Sequence, residues 1–459
     1  MTTSHRVLPA LALAAMLLTT AAPVSSAPAA HSAPAAPSAP SAPVRWLHDD
    51  YARAVAIARE RKVPLFVDIW APWCHTCRSM WAFVLNDPTL ARHDREFVFL
   101  SVDSEKPKNA AFRAKYVTDA LPSFYVIDPV AERITVRWVG GMTVNQLHAL
   151  LDDAAHGGHA PRALLAVIAR ADSLYGVRDF SGAAAAFGEV LAAAPTDWKG
   201  WARIVESRMY ALTSSGQYAA GVELAEATLP RLGRSPSALN VAASALGCAR
   251  ELPAGDSSRP ARVAALEKAT RELVADFTFA TSDDDRSGAW IEILSTRQDA
   301  KDSLGARTAA LDWVAFLEGA ARAAKTPEQR AVFDAHRLTA YLELNEPSRA
   351  VDMLLQTQRD FPDDYNPYQR LATAYKAMGR WEDALAQSDL AMARNDAGPR
   401  KMLLFTTRAD IFAGKKDRAM EKRALEEAIA FGESIPASQR PARTIDGLRK
   451  RLEKLNATP

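Results

Sequence analysis

The feature that most constrains the fold is the segment 65–77, which reads LFVDIWAPWCHTC. The near-continuous apolar run from Pro64 to Trp70 has the length of a strand and predicts a central strand that is buried on both faces. A short turn then leads to Cys74, which we place at the start of a helix. There the thiol faces unpaired backbone N–H groups and the positive end of the helix dipole, and both favour the thiolate. The segment therefore predicts an α/β domain with a reactive cysteine at a strand-to-helix turn.

The chain has three cysteines, Cys74, Cys77 and Cys248. A disulfide scaffold would use more of them, in even number, so the close spacing of Cys74 and Cys77 predicts a redox-active disulfide. Cys248 lies among small residues and is interpreted as a buried, inert thiol, with a resolving or intermolecular role as the alternative. Covalent haem would need a histidine where Arg78 stands, and zinc would need two further ligands. We therefore predict neither a metal nor a bound cofactor.

Strands and helices alternate from Trp46 to about Leu151, and they predict one domain over residues 44–155. The predicted strands are 64–70, 97–102, 123–127 and 134–139. The predicted helices are 51–61, 77–84, 109–115 and 144–151, with a further helix starting at Asp87-Pro88. The alternation is typical of an α/β fold.

Three separate features of this domain match one family in order along the chain. They are Asp68, the core Trp73-Cys74-x-x-Cys77, and Leu121-Pro122-Ser123. Residues 46–152 thereby resemble the thioredoxin superfamily. The Asn86-Asp87-Pro88 segment is most similar to the thioredoxin-like domains of secreted disulfide reductases, including the C-terminal domain of the transmembrane electron-transporter family.

The resemblance implies a protein-disulfide reductase or thiol–disulfide oxidoreductase that works through its own thiols. It implies that Pro122 is cis, that it packs against the cysteine pair, and that its neighbouring backbone pairs with an extended substrate segment. It also implies that Asp68 is a buried proton acceptor beneath Cys77. The alternatives are an edge-strand proline and a structural buried acid. Trp73, His75, Thr76, Leu121 and Ser123 are expected to tune the pair or to lie on the substrate side.

The dipeptide between the cysteines departs from the Gly-Pro that is common in thioredoxins, because this chain has His75-Thr76. A partly protonated His75 beside the Cys74 thiolate would stabilise the reduced form and make the pair more oxidising. The alternative is that His75 only fills the surface. The residues leave the direction of net electron flow open.

The first residues have the pattern of an export signal. His5 and Arg6 precede an apolar run, and small residues around Ala27 suit a cleavage site, so we predict a signal peptide over residues 1–27, with an uncleaved anchor as the alternative. Residues 28–43 are almost entirely Ala, Pro and Ser and predict an extended linker. We expect a periplasmic or secreted protein with no membrane span after signal cleavage.

Beyond this domain, residues 160–459 are predicted to be helical and to repeat at a fixed period. Ala350 and Ala384 are one repeat apart, and Gly379 lies at the predicted turn between two helices. These spacings resemble the tetratricopeptide repeat. The pattern is strong over 164–230 and 330–430 and weak over 250–330, where the segments 253–256 and 282–285 are interpreted as interruptions between helices. We interpret this stretch as degenerate repeats or an insertion. Stacked repeats offer an extended surface for an unidentified protein partner.

The net charge argues against partners that are polyanions. The formal value is only +2, whereas binding of nucleic acid or of an anionic membrane needs a concentrated basic surface. The expected partners are proteins with disulfides, a protein on the repeat array and an electron donor in the membrane. A second hypothesis of another class is a repeat-based scaffold whose thioredoxin-like module senses redox state or stiffens the protein.

Overall fold

The computed structural model describes residues 44–118, 120–156, 161–195, 197–395, 398, 400–436 and 440–457. The predicted signal peptide and linker, 1–27 and 28–43, lie outside the described residues and stay predictions. Among the helices that are described, none has the length and apolar character needed to cross a membrane.

Residues 44–156, here called the sheet domain, form one five-stranded sheet with helices around it. Its strands are β1 (Trp46–His48), β2 (Leu65–Trp70), β3 (Val98–Asp103), β4 (Ser123–Asp128) and β5 (Arg133–Val139). Its helices are α1 (Tyr51–Arg61), α2 (His75–Phe83), α3 (Ala110–Lys115) and α4 (Val144–Ala155). The strand order is β1-β3-β2-β4-β5, with β1, β3 and β2 parallel and β4 and β5 antiparallel to their neighbours.

Strand β2 lies at the centre of the sheet, as its apolar run predicts. Leu65, Phe66, Val67 and Ile69 are fully buried, and the two faces of the sheet pack into separate apolar clusters. A strand covered on both faces cannot shift in register without exposing apolar side chains, so it holds the turn at its end in place. That turn carries the cysteine pair.

Some elements of the domain differ from the sequence prediction. Helix α2 begins at His75 instead of Cys77, because Cys74 is its N-cap and the sulfur accepts from the Cys77 backbone N–H at 3.1 Å. The predicted helix at Asp87 is a 3₁₀ helix, Pro88–His93, which Asp87 caps. Strand β1 was not predicted, and α4 extends beyond its predicted end at residue 151 to Ala155. The other elements of the domain were predicted with bounds close to those observed, and for α1 the two coincide.

Residues 161–457, here called the helical array, are helices packed one against the next. The helices are α5 (Arg162–Gly176), α6 (Phe180–Ala193), α7 (Trp201–Ser214), α8 (Tyr218–Leu232), α9 (Pro236–Arg250), α10 (Arg259–Val274), α11 (Asp283–Asp299), α12 (Ser303–Ala323), α13 (Pro327–Ala331), α14 (Asp334–Glu343), α15 (Val351–Asp360), α16 (Tyr365–Ala377), α17 (Trp381–Arg394), α18 (Lys401–Gly414), α19 (Arg418–Ser434) and α20 (Ala442–Ala457). This confirms the predicted fold class, an α/β domain followed by an all-α repeat array.

The predicted repeat spacing is visible in the pair α16 and α17. Ala372 and Ala384 are fully buried where the two helices pack together. Gly379 joins the helices with φ +70°, a backbone conformation that glycine adopts without strain. Small residues at these positions let the helices approach closely, which is the packing that the sequence pattern predicts.

The weak stretch 250–330 contains three regular helices, α10, α11 and α12, within the same array. The acidic run after Ser282, interpreted from the sequence as an interruption, is instead the first turn of α11. Ser282 caps it by accepting from the Asp285 N–H at 2.9 Å, and acidic residues in a first turn are favoured by the helix dipole. Buried Arg286 donates to the Val274 and Asp276 carbonyls at 2.8 and 2.7 Å and ties α11 to the end of α10.

Candidate active site

The predicted cysteine pair lies where β2 passes into α2. Cys74 and Cys77 are joined by a disulfide, with their Cα atoms 5.2 Å apart. Cys74 is 5% exposed and Cys77 is 0% exposed. The sulfur of Cys74 occupies the N-cap position, so after reduction its thiolate would face the backbone N–H of Cys77 and the positive end of α2.

Asp68 lies in β2, five residues before Trp73, and is 0% exposed. Its Oδ2 accepts from the indole N–H of Trp81 at 2.9 Å. Burial raises the pKa of Asp68 to about 7, although the hydrogen bonds from Trp81 and Ser101 oppose the rise. A carboxyl with this pKa can take up and release a proton near neutral pH, as a general base requires.

The loop before β4 brings its residues to the disulfide. The Leu121–Pro122 peptide bond is cis, and the side chain of Leu121 packs against the cluster that contains both cysteines. The carbonyl of Pro122 accepts from the N–H of Gly140 at 2.9 Å. The hydroxyl of Ser123 is buried and donates to the Ala120 carbonyl at 2.7 Å, so it stabilises the loop from inside.

Trp73 connects the disulfide turn to the helical array. Its indole N–H donates to Glu105 Oε1 at 3.2 Å. The guanidinium of Arg400 lies 4.7 Å from the centroid of the Trp73 ring, and the Arg400 backbone N–H donates to Glu105 Oε2 at 3.3 Å. Cation–π contacts of this kind contribute about 0.5–2 kcal/mol. An array residue thus covers the tryptophan that precedes the reactive cysteine.

Helix α2 has a second attachment to the array through α16. Arg78 pairs with Asp364 at 2.5 Å, and both side chains are largely buried. Burial would raise the pKa of Asp364, but the Arg78 charge and hydrogen bonds outweigh it, so this pKa is lowered. Asn366 adds a hydrogen bond from Nδ2 to the Pro72 carbonyl at 3.3 Å. These contacts hold the array against the turn that carries the disulfide.

His75 lies in a polar cluster with two array residues that sequence reasoning missed. His75 Nδ1 is 2.7 Å from Asp284 Oδ1, and His75 Nε2 is 3.1 Å from His336 Nε2. Asp284 belongs to the first turn of α11 and His336 to α14. Thr76 Oγ1 is 3.3 Å from His75 Nδ1. The separations of 209 and 261 residues explain why no local pattern indicated the cluster.

A cavity of about 370 Å³ adjoins this cluster between the sheet domain and the array. His75, Thr76 and Leu121 contribute from the sheet domain, and Asp285 and Glu206 are among the array residues that line it. The volume is within the range of small-molecule sites. Three of the residues predicted to tune the pair or to face the substrate therefore border a space whose opposite wall is the array.

Cys248 is buried in α9, apart from the cluster that packs around Cys74 and Cys77. Its sulfur is 3.4 Å from Thr213 Oγ1. Burial raises the pKa of the Cys248 thiol, although the hydrogen bond with Thr213 opposes this. A protonated, inaccessible thiol fits the inert interpretation.

The arrangement of β2, the Cys-x-x-Cys turn and the proline loop defines a thiol–disulfide site on a small mixed sheet. A family model described as Thioredoxin-like matches residues 45–129. These residues form a thioredoxin-like domain, and the helical repeat array follows it.

Two curated proteins match a shorter part of the chain. They are the thiol:disulfide interchange proteins DsbD of two Vibrio vulnificus strains, each 29% identical over 55 residues, or 12% of this chain. The match spans only 9% of the length of each relative. Among solved structures, a tetratricopeptide repeat protein from Parabacteroides merdae aligns with 64% of this chain and 100% of its own, with 9% identity and a TM-score of 0.41.

Proposed function

We propose that the protein is an exported thiol–disulfide oxidoreductase that reduces or exchanges disulfides of extracytoplasmic proteins through Cys74 and Cys77. The observation that carries the proposal is the position of the Cys74 sulfur at the N-terminus of α2. The buried Asp68, whose pKa is raised by burial to about 7, supports it as a proton acceptor for the second thiol. The name of the two Vibrio relatives, thiol:disulfide interchange protein, agrees with this chemistry.

The reaction follows from the different environments of the two sulfurs. The Cys74 thiolate attacks one sulfur of a partner disulfide, forming a mixed disulfide and releasing the other partner sulfur as a thiolate. Cys77 then transfers its proton to Asp68 and attacks the Cys74 sulfur. The second partner sulfur leaves as a thiolate, and Cys74–Cys77 is oxidised. Two electrons pass to the partner, and a thiol donor must reduce the pair again.

In this proposal the array also forms one wall of the active site. Arg400 covers Trp73, and Asp364 holds Arg78 beside the disulfide. A partner disulfide must therefore enter beside the array or displace it, which makes the array a selector of substrates. Recruitment of a protein partner by the outer surfaces of the repeats belongs to the same proposal.

The direction of net electron flow and the cellular compartment are further parts of the proposal, each with its own measurement. A reduction potential of about −270 mV supports a reductase, and one of about −120 mV supports an oxidase.

Export predicts that the mature chain is found outside the cytoplasm and begins at residue 28. Cell fractionation followed by N-terminal sequencing tests this, and a chain retained in the cytoplasm with residues 1–27 intact would contradict it.

Cysteine variants of the full chain test the chemistry. Cys74→Ser should abolish the acceleration that the protein gives to the reduction of insulin disulfides by dithiothreitol. Cys77→Ser should accumulate mixed disulfides because resolution is lost. Cys248→Ala is the matched control and should keep wild-type turnover, because its thiol is buried away from the pair. Wild-type turnover in the Cys74→Ser variant would refute the proposed activity.

A second candidate function is a redox-responsive scaffold, which the contacts of the array with Trp73, His75 and Arg78 favour. Reduction of the disulfide would then change how the array packs on the turn, without turnover of a substrate. Partner capture that persists unchanged after both cysteines are replaced by serine, in a protein that does not reduce insulin, would favour the scaffold over the enzyme.

A further inference from the structure

We infer that His75, Asp284 and His336 form a binding site for a divalent transition-metal ion such as Zn²⁺. The three side chains come from α2, α11 and α14, and one ligand-capable atom from each lies within 4.8 Å of the others. Among the described residues this is the one group of three or more such side chains with this proximity. The site goes beyond the thiol chemistry, since neither cysteine belongs to it.

The Nε2 atoms of the two histidines lie at a distance that suits two ligands of one ion. They are 3.1 Å apart, compared with about 3.3 Å for two nitrogen ligands on tetrahedral zinc. The ring centroids are 3.9 Å apart, with the planes inclined by 57°. Rings whose Nε2 atoms shared one tetrahedral ion would have centroids about 5 Å apart, so metal binding requires His75, the more exposed of the two, to turn.

His336 has, at its other ring nitrogen, the kind of partner that metal-binding histidines usually have. His336 Nδ1 is 2.7 Å from the hydroxyl of Ser287. Trp313 donates its indole N–H to the same hydroxyl at 2.7 Å and fixes it. Such outer partners orient the imidazole and increase its basicity towards the ion.

Oxygen ligands and space are also available here. The side chains of Asp284, Asp285 and Glu206 line the adjoining cavity, and the arginines that line it, Arg137 and Arg203, act on Asp172. The cavity offers room for water to complete the coordination. The ligand-capable atoms lie within 4.8 Å of one another, whereas two ligands at about 2.1 Å from one ion are at most about 4.2 Å apart. Asp284 therefore has to leave His75 Nδ1 and rotate towards the ion to become the third ligand. Nitrogen and carboxylate ligands of this kind suit zinc and its neighbours.

An ion in this site would connect α11 and α14 to the residue that directly follows Cys74. Ser282 and Arg286 already hold the first turn of α11 in place, so the array presents its two ligands on a rigid frame. His75 is 37% exposed in its side chain and is the member of the group that can adjust. Metal binding would thus fix the turn between the cysteines to the array.

The test is calorimetric titration of ZnCl₂ into the full chain in its oxidised, chelator-treated form, in which the Cys74–Cys77 thiols cannot bind metal. We expect saturable binding of one equivalent. His336→Gln and Asp284→Asn should weaken binding at least about 100-fold, and Ser287→Ala about 10–100-fold, as for outer partners of metal ligands. Co²⁺ should show a ligand-field absorption band that is lost in the same variants.

The matched control is His148→Gln, which removes a second close histidine pair in the sheet domain, where His148 Nδ1 is 3.0 Å from His93 Nε2. This variant should bind Zn²⁺ like the wild type. Equal affinity of the His336→Gln and wild-type proteins, each with an unchanged circular dichroism spectrum, would overturn the inference, as would an absence of one-equivalent binding. Because oxidised protein is used, either result is independent of thiol activity, and Cys74→Ser should bind Zn²⁺ normally.

Discussion

Replacement of Asp68 by Asn tests the central acid–base claim by measuring stability. Asn has nearly the same shape as Asp, and its side-chain oxygen can still accept from Trp81 as Asp68 Oδ2 does at 2.9 Å. The variant removes the ionisation and leaves the packing of β2 in place. We therefore expect the Asn variant to be more stable than the wild type at alkaline pH and not at acidic pH.

The magnitude follows from the pKa of the buried carboxyl. Burial raises it from 3.8 to about 7, so the folded protein keeps a proton on Asp68 that the unfolded chain has already lost. The contribution of Asp68 to the free energy of unfolding is fully present below pH 3.8 and decreases as the pH rises to about 7. Above that pH the contribution no longer changes. A difference of roughly 3 units at about 1.4 kcal/mol each corresponds to about 4 kcal/mol.

Urea denaturation of both proteins between pH 4 and pH 8 measures this effect. The quantity is the free energy of unfolding of Asp68→Asn minus that of the wild type. Other buried acids cancel in this difference because they are common to both proteins. The free energy of unfolding of Asp68→Asn minus that of the wild type should increase by about 4 kcal/mol from pH 4 to pH 8, with most of the increase before pH 7. Asp94→Asn, the same change at an exposed side chain, should give a difference close to zero at every pH.

Two results would refute the reasoning. A difference that does not depend on pH would show that the carboxyl has its ordinary pKa in the folded protein. A difference that becomes more unfavourable to the Asn variant above pH 7 would show that the ionised form of Asp68 is the stabilised one. Either result would remove the support for Asp68 as the proton acceptor of Cys77.

Three further predictions concern the array and its contacts. Arg78→Met should increase the rate at which iodoacetamide alkylates reduced Cys74 several-fold, because the pair with Asp364 is lost; an unchanged rate would contradict this. Gly379→Ala should lower the free energy of unfolding by about 1–2 kcal/mol, because φ is +70° at this position. No atom lies within 4 Å of the added Cβ, so the effect comes from the backbone conformation and not from a clash, and a neutral effect would contradict this argument. Cys248→Ala should keep full insulin reduction and lose about 1 kcal/mol of stability, measured by urea denaturation.

The sheet domain was predictable because its signals are local. The run of β2 is apolar on both faces, and α1 was predicted with the observed bounds. The position of Cys74 at the start of α2 was predicted, whereas the predicted span began at Cys77; the Cys74 sulfur accepts the hydrogen bond that a cap requires, and the helix begins at His75. The acidic first turn of α11 was misread because consecutive Asp residues also occur in loops.

The candidate site was only half predictable. Cys74, Cys77, Asp68 and Pro122 share one end of one sheet, so spacing along the chain indicates them. Asp284 and His336 reach His75 from helices whose placement depends on how the repeats stack, and stacking is determined by packing over hundreds of residues. A histidine between two cysteines was the one signal, and it gave no indication of its partners.

The array contacts bear on chemistry as well as on partner choice. Residues on both sides of the reactive sulfur, Trp73 and His75, each contact an array side chain, and Arg78 adds a third contact one turn along α2. The thiolate and disulfide forms of Cys74 differ in charge, so charged groups held close to the turn affect the two forms unequally. It follows that Asp284→Asn should change the reduction potential of Cys74–Cys77, although this residue is more than two hundred positions away in sequence. A potential equal to that of the wild type would show that the array covers the disulfide without influencing it.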